Sequence, residues 1–274
     1  MNKKLILGVI AGIIVGGLLI KGIDTVYAKF FSDLRGVKQS YAQSGEDLIV
    51  ENIFLYLLEK KPTYIDIGAA DPIIGNNTYL FYLKGSRGVL VEPNPALRDK
   101  LQSRRKGDTV LTLGIGVTDV KDADYYLVGL KTDKFGGEFN TFSKELADKA
   151  EKMGKGFIHV RKIKMPLRNV NEVIKENFNG KAPDFFSIDV EGFEMPILKS
   201  LDFSVYRPKV FCVEVVTYNY VNQNNEVSDF MKSKDYVLVG GNYVNKVFVD
   251  KETLKKAGYY NDHLNIGIPP EAGK

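Results

Sequence analysis

The chain has 274 residues, of which 44% are hydrophobic and 26% charged, as is typical of a globular protein with one large or two small domains. Its net charge of +4 is small and evenly spread along the chain, which argues against a nucleic-acid-binding surface. One cysteine and two histidines exclude a disulfide within the chain and give no spacing expected of a zinc site.

The N-terminal segment, residues 1–23, differs from the rest of the chain because two lysines precede a long uncharged run. A helix that includes residues 5–23 would be about long enough to cross a membrane as a single pass, provided that Lys21 reaches the membrane surface. The alternative is a cleaved signal peptide, residues 1–28, which would export the protein. We expect residues 24–38 to form a linker.

Residues 39–268 alternate between helical periodicity and short apolar runs of strand length. We predict helices at residues 46–59, 78–84, 95–105, 170–178, 194–200 and 221–233. We predict strands at residues 64–67, 88–91, 109–113, 184–189 and 210–216, then a hairpin of residues 236–239 and 244–249. This alternation predicts one α/β domain whose sheet is mainly parallel with an antiparallel edge, followed by a tail at residues 269–274.

A less regular insertion separates the third and fourth predicted strands. It contains strand-like pieces at residues 124–128 and 157–164 around a polar, glycine-rich stretch. Substrate recognition often depends on such irregular segments, and residues 140–143 are candidates for it.

Two neighbouring predicted strands end in acidic residues. Asp66 precedes Gly68 and Ala69 at the end of the first strand, and Glu92 follows the second. Ligands of open α/β sheets bind at the carboxyl ends of the strands, where Gly68 would let the backbone approach a ligand closely. Glu92 follows Gly68 at close to the ~20 residues expected of an acid that binds ribose hydroxyls. The further glycines of a dinucleotide fingerprint are missing, which favours a cofactor without a pyrophosphate.

A second acidic group follows the fourth predicted strand, where Asp189 is succeeded by Glu191 and Glu194. A close carboxylate pair such as Asp189 and Glu191 can have one raised pKa and act as a general base toward a hydroxyl. Alternatively, Glu191 and Glu194 only complement the N-terminus of the next helix. Glu214 lies at the end of the fifth predicted strand. It would line the same edge of the sheet as Asp189, or form a structural ion pair there. A hydrolase with a metal ion on Asp189, Glu191 and Glu214 is an alternative, but no ligand spacing supports it and we predict no metal.

Four stretches together resemble the FkbM family of S-adenosylmethionine-dependent methyltransferases. They are SYAQSGEDLIV, YIDIGAADP, NNTYLFYLKGSRGVLVEPNP and FFSIDVEGFEMPILKSLD. The resemblance covers roughly residues 39–249. It implies the class I methyltransferase fold, a Rossmann-like seven-stranded sheet with a C-terminal hairpin, with S-adenosylmethionine as cofactor and methyl transfer to a hydroxyl oxygen.

The resemblance also implies roles for individual residues. It places Asp66, Gly68 and Ala69 in the cofactor loop, Glu92 at the ribose hydroxyls and Asp119 at the adenine edge.

At the edge of the site facing methionine and acceptor, the resemblance places Asp189 and Glu191, of which one would be the base. A sugar or glycan hydroxyl is the expected acceptor. The alternative is a membrane-tethered binding module that has the same fold and no catalysis. Since S-adenosylmethionine is a cytosolic metabolite, an uncleaved anchor with a cytosolic domain agrees best with this family.

Overall fold

The computed structural model describes residues 38–130, 140–153, 158–216 and 225–260. The predicted membrane segment at residues 5–23, the linker up to residue 37 and the tail at residues 269–274 lie outside these ranges. No helix within the described ranges is both long enough and apolar enough to cross a bilayer, and the anchor stays a prediction.

Seven strands form the central sheet in the order β3-β2-β1-β7-β8-β10-β9. Their bounds are β1 Tyr64–Ile67, β2 Gly88–Val91, β3 Thr109–Leu111, β7 Phe185–Ile188, β8 Val210–Glu214, β9 Tyr236–Gly241 and β10 Asn245–Asp250. Pairing is parallel from β3 to β8, whereas β10 is antiparallel to both β8 and β9. The predicted mainly parallel sheet with a closing antiparallel hairpin is therefore confirmed.

Helices cover both faces of this sheet. In chain order the helices are α1 Glu46–Asn52, α2 Tyr79–Leu83, α3 Arg98–Arg104, α4 Lys144–Met153, α5 Val170–Asn177, α6 Glu194–Ser200, α7 Glu226–Ser233 and α8 Lys251–Lys256, and all of them except α4 pack on this sheet. Alternate strand residues project to opposite faces, so each strand contributes to two cores. One core joins residues such as Ile67 and Ile188 to α5, α6 and α7. The other joins residues such as Leu90 and the fully buried Cys212 to α1, α2, α3 and α8.

Two predicted helices differ from the structure at their ends, and residues 221–224 of a third lie outside the described ranges. The segment predicted at residues 46–59 is α-helical only to Asn52 and continues as a π-helical turn, Ile53–Leu57. Helix α3 begins three residues later than the predicted start at Pro95. The reason is a turn in which the side-chain oxygen of Asn94 accepts a hydrogen bond from the amide of Ala96 at 3.0 Å.

The insertion forms a second sheet, with the order β4-β6-β5, from β4 Gly114–Gly116, β5 Asp122–Leu130 and β6 Ile158–Asn169. Its two long strands are antiparallel, and β4 is parallel to β6. Helix α4, which the sequence analysis does not predict, packs on this sheet through Ala147 and Ala150, which contact Tyr126 and Val128. The insertion is thus a regular structure, in which the strand-like pieces predicted at residues 124–128 and 157–164 belong to β5 and β6.

Candidate active site

The acidic residues that follow the strands meet at one edge of the central sheet. Ile67 pairs with Val91 on one side and with Ile188 on the other, and Ile188 pairs with Val213. The next residues of these four strands are Gly68, Glu92, Asp189 and Glu214. Parallel register therefore places the predicted cofactor loop and the predicted catalytic acids next to each other.

Gly68 is required here for packing within the protein. Its φ is +86°, and a Cβ atom at this position would lie 1.7 Å from the backbone oxygen of Asp189. Its amide donates to the carbonyl of Val91 at 2.9 Å, and that of Ala69 donates to the same oxygen at 3.2 Å. The sequence analysis explains Gly68 by close approach of a ligand. In the structure, the close neighbour is the residue that follows β7, so the glycine brings the loop after β1 against Asp189.

Glu92 is 4% exposed and holds the loop that follows β1. One carboxylate oxygen accepts the amide of Ala70 at 2.9 Å and the other accepts that of Asn94 at 2.7 Å. Burial, with a smaller contribution from the charge of Asp66, raises the pKa of Glu92 to about 7 against the opposing effect of these amides. Because each carboxylate oxygen can accept a second hydrogen bond, Glu92 keeps the capacity to bind hydroxyl groups.

The raised pKa of Glu92 predicts how stability depends on pH. Between the ordinary value of 4.5 and about 7, the folded protein keeps a proton that the unfolded chain has released. The contribution of Glu92 to the free energy of unfolding should therefore fall as the pH rises through this window, by up to about 1.4 kcal/mol per pH unit. Urea unfolding at a series of pH values should give a smaller decrease for Glu92→Gln than for the parent. Equal slopes would contradict the prediction.

Asp66 is buried in a network that shapes the same loop. It accepts the hydroxyl of Thr78 at 2.8 Å and the side-chain amide of Asn76 at 3.2 Å. Burial raises the pKa of Asp66, and these hydrogen bonds together with Arg105 oppose the rise. In this structure the carboxylate of Asp66 acts on its own loop, and its predicted contact with the cofactor stays a prediction.

Arg105 is the residue around which this network is built, and the sequence analysis assigns it no role. Its side chain is fully buried, and its Nε lies 2.8 Å from Asp108 Oδ2. The other guanidinium nitrogens donate to four oxygens, those of Pro72, Asn76, Tyr64 and Thr78. Because a guanidinium presents five donors in a fixed geometry, one side chain can join the end of α3 to the second half of the loop after β1 and to Tyr64.

An apolar cleft opens between the strand ends and the insertion. Its lining comes from β1, β2, β4, the insertion and the β7–α6 region, and consists of Ile67, Gly68, Val91, Pro93, Ile115, Phe142, Val190, Phe193 and Ile197. Phe142 packs against Tyr125, with ring centroids 4.6 Å apart, and next to Gly114, where a Cβ atom would lie 2.3 Å from its ring. The insertion therefore forms one wall of the cleft, through a residue of the predicted recognition segment.

Three carboxylates lie together at the ends of β7 and β8. One oxygen each of Asp189, Glu191 and Glu214 lies within 4.8 Å of the others. Glu191 has a φ of +56°, unusual for a residue with a side chain. Glu194 stabilises this turn, since its Oε1 accepts the amides of Val190 at 2.9 Å and Gly192 at 3.1 Å. Glu194 thus holds the backbone that presents Glu191.

The electrostatics of this carboxylate cluster follow from burial and like charge. Burial and the charge of Glu194 raise the pKa of Asp189. Burial and the charge of Asp189 raise the pKa of Glu214. At neutral pH such a cluster can take up a proton or attract a cation.

Asp119 is placed differently from the other predicted residues. It is exposed, three residues after the end of β4. Its predicted position at the adenine edge of a cofactor stays a prediction.

A family model described as the methyltransferase FkbM domain matches residues 66–238, which include the cofactor loop, the insertion and the carboxylate cluster. No curated protein matches the chain.

Among solved structures, three methyltransferases are similar to this chain at low sequence identity. A TehB-like SAM-dependent methyltransferase from Corynebacterium glutamicum has 7% identity and a TM-score of 0.40, covering 84% of this chain and 100% of its own. The 1,6-didemethyltoxoflavin-N1-methyltransferase of Burkholderia thailandensis, solved with S-adenosylhomocysteine, has 11% identity, a TM-score of 0.38 and coverages of 85% and 89%. The N-methyltransferase NodS from Bradyrhizobium japonicum has 8% identity, a TM-score of 0.38 and coverages of 76% and 98%.

Proposed function

Because the chain belongs to the FkbM methyltransferase family and its cofactor is S-adenosylmethionine, we propose that it methylates a hydroxyl oxygen of its acceptor, with sugar or glycan hydroxyls as the expected class. The observation that carries this proposal is the pair of carboxylates, Asp189 and Glu191, at the strand ends beside the apolar cleft. A hydroxyl must lose its proton as its oxygen is methylated, and a carboxylate with a raised pKa is suited to accept it.

The side chains present fit S-adenosylmethionine. The apolar side chains that line the cleft are of the kind that pack against an adenine ring, which the cleft must widen to admit, and Glu92 can accept hydrogen bonds from ribose hydroxyls. Carboxylates at the ends of β7 and β8 suit the positive charges of the methionine part. When bound, the cofactor supplies an electrophilic methyl group on a sulfonium.

The protein's own residues then have three tasks. Asp189 and Glu191 orient the acceptor hydroxyl, and one of them takes its proton onto a carboxylate oxygen. Glu194 and Gly68 hold the two backbone turns that position these acids. Phe142 covers the cleft and limits the access of water. Holding the reactants in line accounts for much of the rate enhancement of such reactions, about 7–11 kcal/mol in favourable cases.

Labelled methyl transfer to matched acceptors tests the proposal. The full chain is incubated with S-adenosylmethionine and with pairs of a neutral sugar and the corresponding amino sugar, and the products are analysed by mass spectrometry. We expect O-methylated sugar, together with S-adenosylhomocysteine, and a rate at least about 100-fold lower for Asp189→Asn.

Glu252→Gln is the control for this experiment. Its side chain is 64% exposed on α8, the helix that follows β10. The end of β10 pairs with the start of β8, so Glu252 lies at the edge of the sheet opposite the carboxylate cluster. This variant should retain the parent rate. Methylation of amino groups alone would contradict O-methylation, and cofactor binding without turnover on any acceptor would favour a binding module.

A further inference from the structure

We propose that a divalent, oxygen-preferring cation binds between the carboxylates of Asp189, Glu191 and Glu214. The sequence analysis predicts no metal, because the three acids lie on two strands and one loop without a ligand spacing. Tertiary structure brings one oxygen of each within 4.8 Å of the others. Two oxygens on opposite sides of a bound cation are about 4.2 Å apart for Mg²⁺ and about 5 Å apart for Ca²⁺, so the observed spacing fits either ion with little movement.

A buried oxygen without a partner points to a ligand in this cluster. Glu214 is 7% exposed, and its Oε2 has no hydrogen-bond partner. The same is true of Oδ1 of Asn245, which is 1% exposed and lies directly opposite Glu214 in the β8–β10 pairing. Cross-strand partners project to the same face of a sheet, so both oxygens belong to one side of it. Leaving a buried acceptor unpaired is costly, and a cation in the cluster would satisfy Glu214 Oε2.

The surrounding charges also favour a cation. Negative charge around Asp189 raises its pKa, and this charge comes from Glu194, Asp66 and Glu46. Among the ion pairs of the described residues, no lysine or arginine pairs with Asp189 or Glu214. All ligands are carboxylate oxygens, which suit Mg²⁺, Mn²⁺ and Ca²⁺ and do not favour zinc.

A proton shared between Asp189 and Glu214 is the competing explanation of the cluster. In that case the two acids stay bound to each other and no cation enters. The two explanations differ in a direct measurement, because only one of them predicts saturable binding of a metal ion.

A cation in this cluster would activate the acceptor hydroxyl for methyl transfer. This role of the cation rests on the proposed function. Each carboxylate contributes one oxygen to the cluster, which leaves coordination positions for an acceptor hydroxyl. Coordination would favour ionisation of that hydroxyl, and the released proton would pass to the second oxygen of a carboxylate. An acceptor with two neighbouring hydroxyls would bind more tightly than one with a single hydroxyl, since it can occupy two positions.

The test is metal titration of the full chain after removal of metals with a chelator. Mn²⁺ is added and its free fraction is followed by electron paramagnetic resonance, with Mg²⁺ and Ca²⁺ as competitors. We expect one saturable site, weakened at least about 10-fold in Glu214→Gln and in Asp189→Asn and unchanged in Glu252→Gln. Circular dichroism confirms that each variant is folded. Absence of saturable binding by the parent, or equal affinity of all variants, overturns the proposal and leaves the shared proton.

Cofactor binding, measured by calorimetry on the same samples, separates this inference from the proposed function. Binding of S-adenosylmethionine without binding of Mn²⁺ refutes the cation site and leaves the methyltransferase assignment intact. Binding of Mn²⁺ with methylation that persists unchanged in chelator supports the site and overturns its role in activating the acceptor.

Discussion

Replacing Arg105 with methionine should lower the free energy of unfolding by about 3–5 kcal/mol, the range for removing one partner of a buried ion pair. Methionine has a similar length and keeps the apolar contacts of the side chain, but it leaves Asp108 without its guanidinium partner. It also leaves the oxygens of Tyr64 and Thr78 without the donors that they have in the parent. Urea unfolding monitored by circular dichroism measures the change.

Arg104→Met is the matched control, because Arg104 is the exposed neighbour in the same helix. Its stability should lie within about 0.5 kcal/mol of the parent, as for most surface substitutions. A loss of less than about 1 kcal/mol for Arg105→Met would contradict the role of Arg105 as the centre of the network. Since this network holds the cofactor loop, Arg105→Met should also weaken cofactor binding in the molecules that remain folded.

Replacing Glu92 with alanine should weaken the binding of S-adenosylmethionine by about 10- to 100-fold. The expectation follows from the loss of an acceptor for ribose hydroxyls, since hydrogen bonds to charged groups contribute about 1.5–3 kcal/mol. Isothermal titration of the cofactor into the parent and the variant measures the two dissociation constants. Glu252→Ala, an equivalent truncation on the opposite edge of the sheet, should bind like the parent.

A cofactor analogue that lacks a ribose hydroxyl distinguishes this contact from loosening of the loop. Glu92 also holds the amides of Ala70 and Asn94, so its truncation could act by disordering them. If Glu92 contacts the ribose, removal of the hydroxyl weakens binding to the parent and has little further effect in Glu92→Ala. An equal effect of the analogue in both proteins would show that Glu92 acts only on the loop.

The mainly parallel sheet with its antiparallel hairpin and the acidic edge could be predicted from the sequence because both depend on short-range patterns. Apolar runs of four or five residues identify strands such as β1, β7 and β8, and helices between them require parallel pairing. Once the strands are parallel, residues at their carboxyl ends share one edge. Asp189 and Glu92 were therefore expected near the cofactor loop, although their chemical roles stay predictions.

The helix of the insertion and the buried side chain of Arg105 were not predicted, for a different reason. Helix α4 is amphipathic but polar on average, and its buried residues are alanines, so its composition resembles that of a polar loop. Arg105 stands in a basic cluster with Arg104 and Lys106, which suggests a solvated helix end. Nothing local indicates that its side chain turns inward toward Tyr64 and Asp108.

By itself, the sequence determined the family, the mainly parallel sheet with its antiparallel hairpin, and the set of acids available at the strand ends. These follow from periodicity and from motifs whose residues are close in the chain. Only the tertiary structure decided that Gly68 packs on Asp189, that Phe142 lines the cleft and that Glu214 joins Asp189 and Glu191. Such contacts join residues distant in sequence, and they depend on strand register and burial, which a local pattern does not contain.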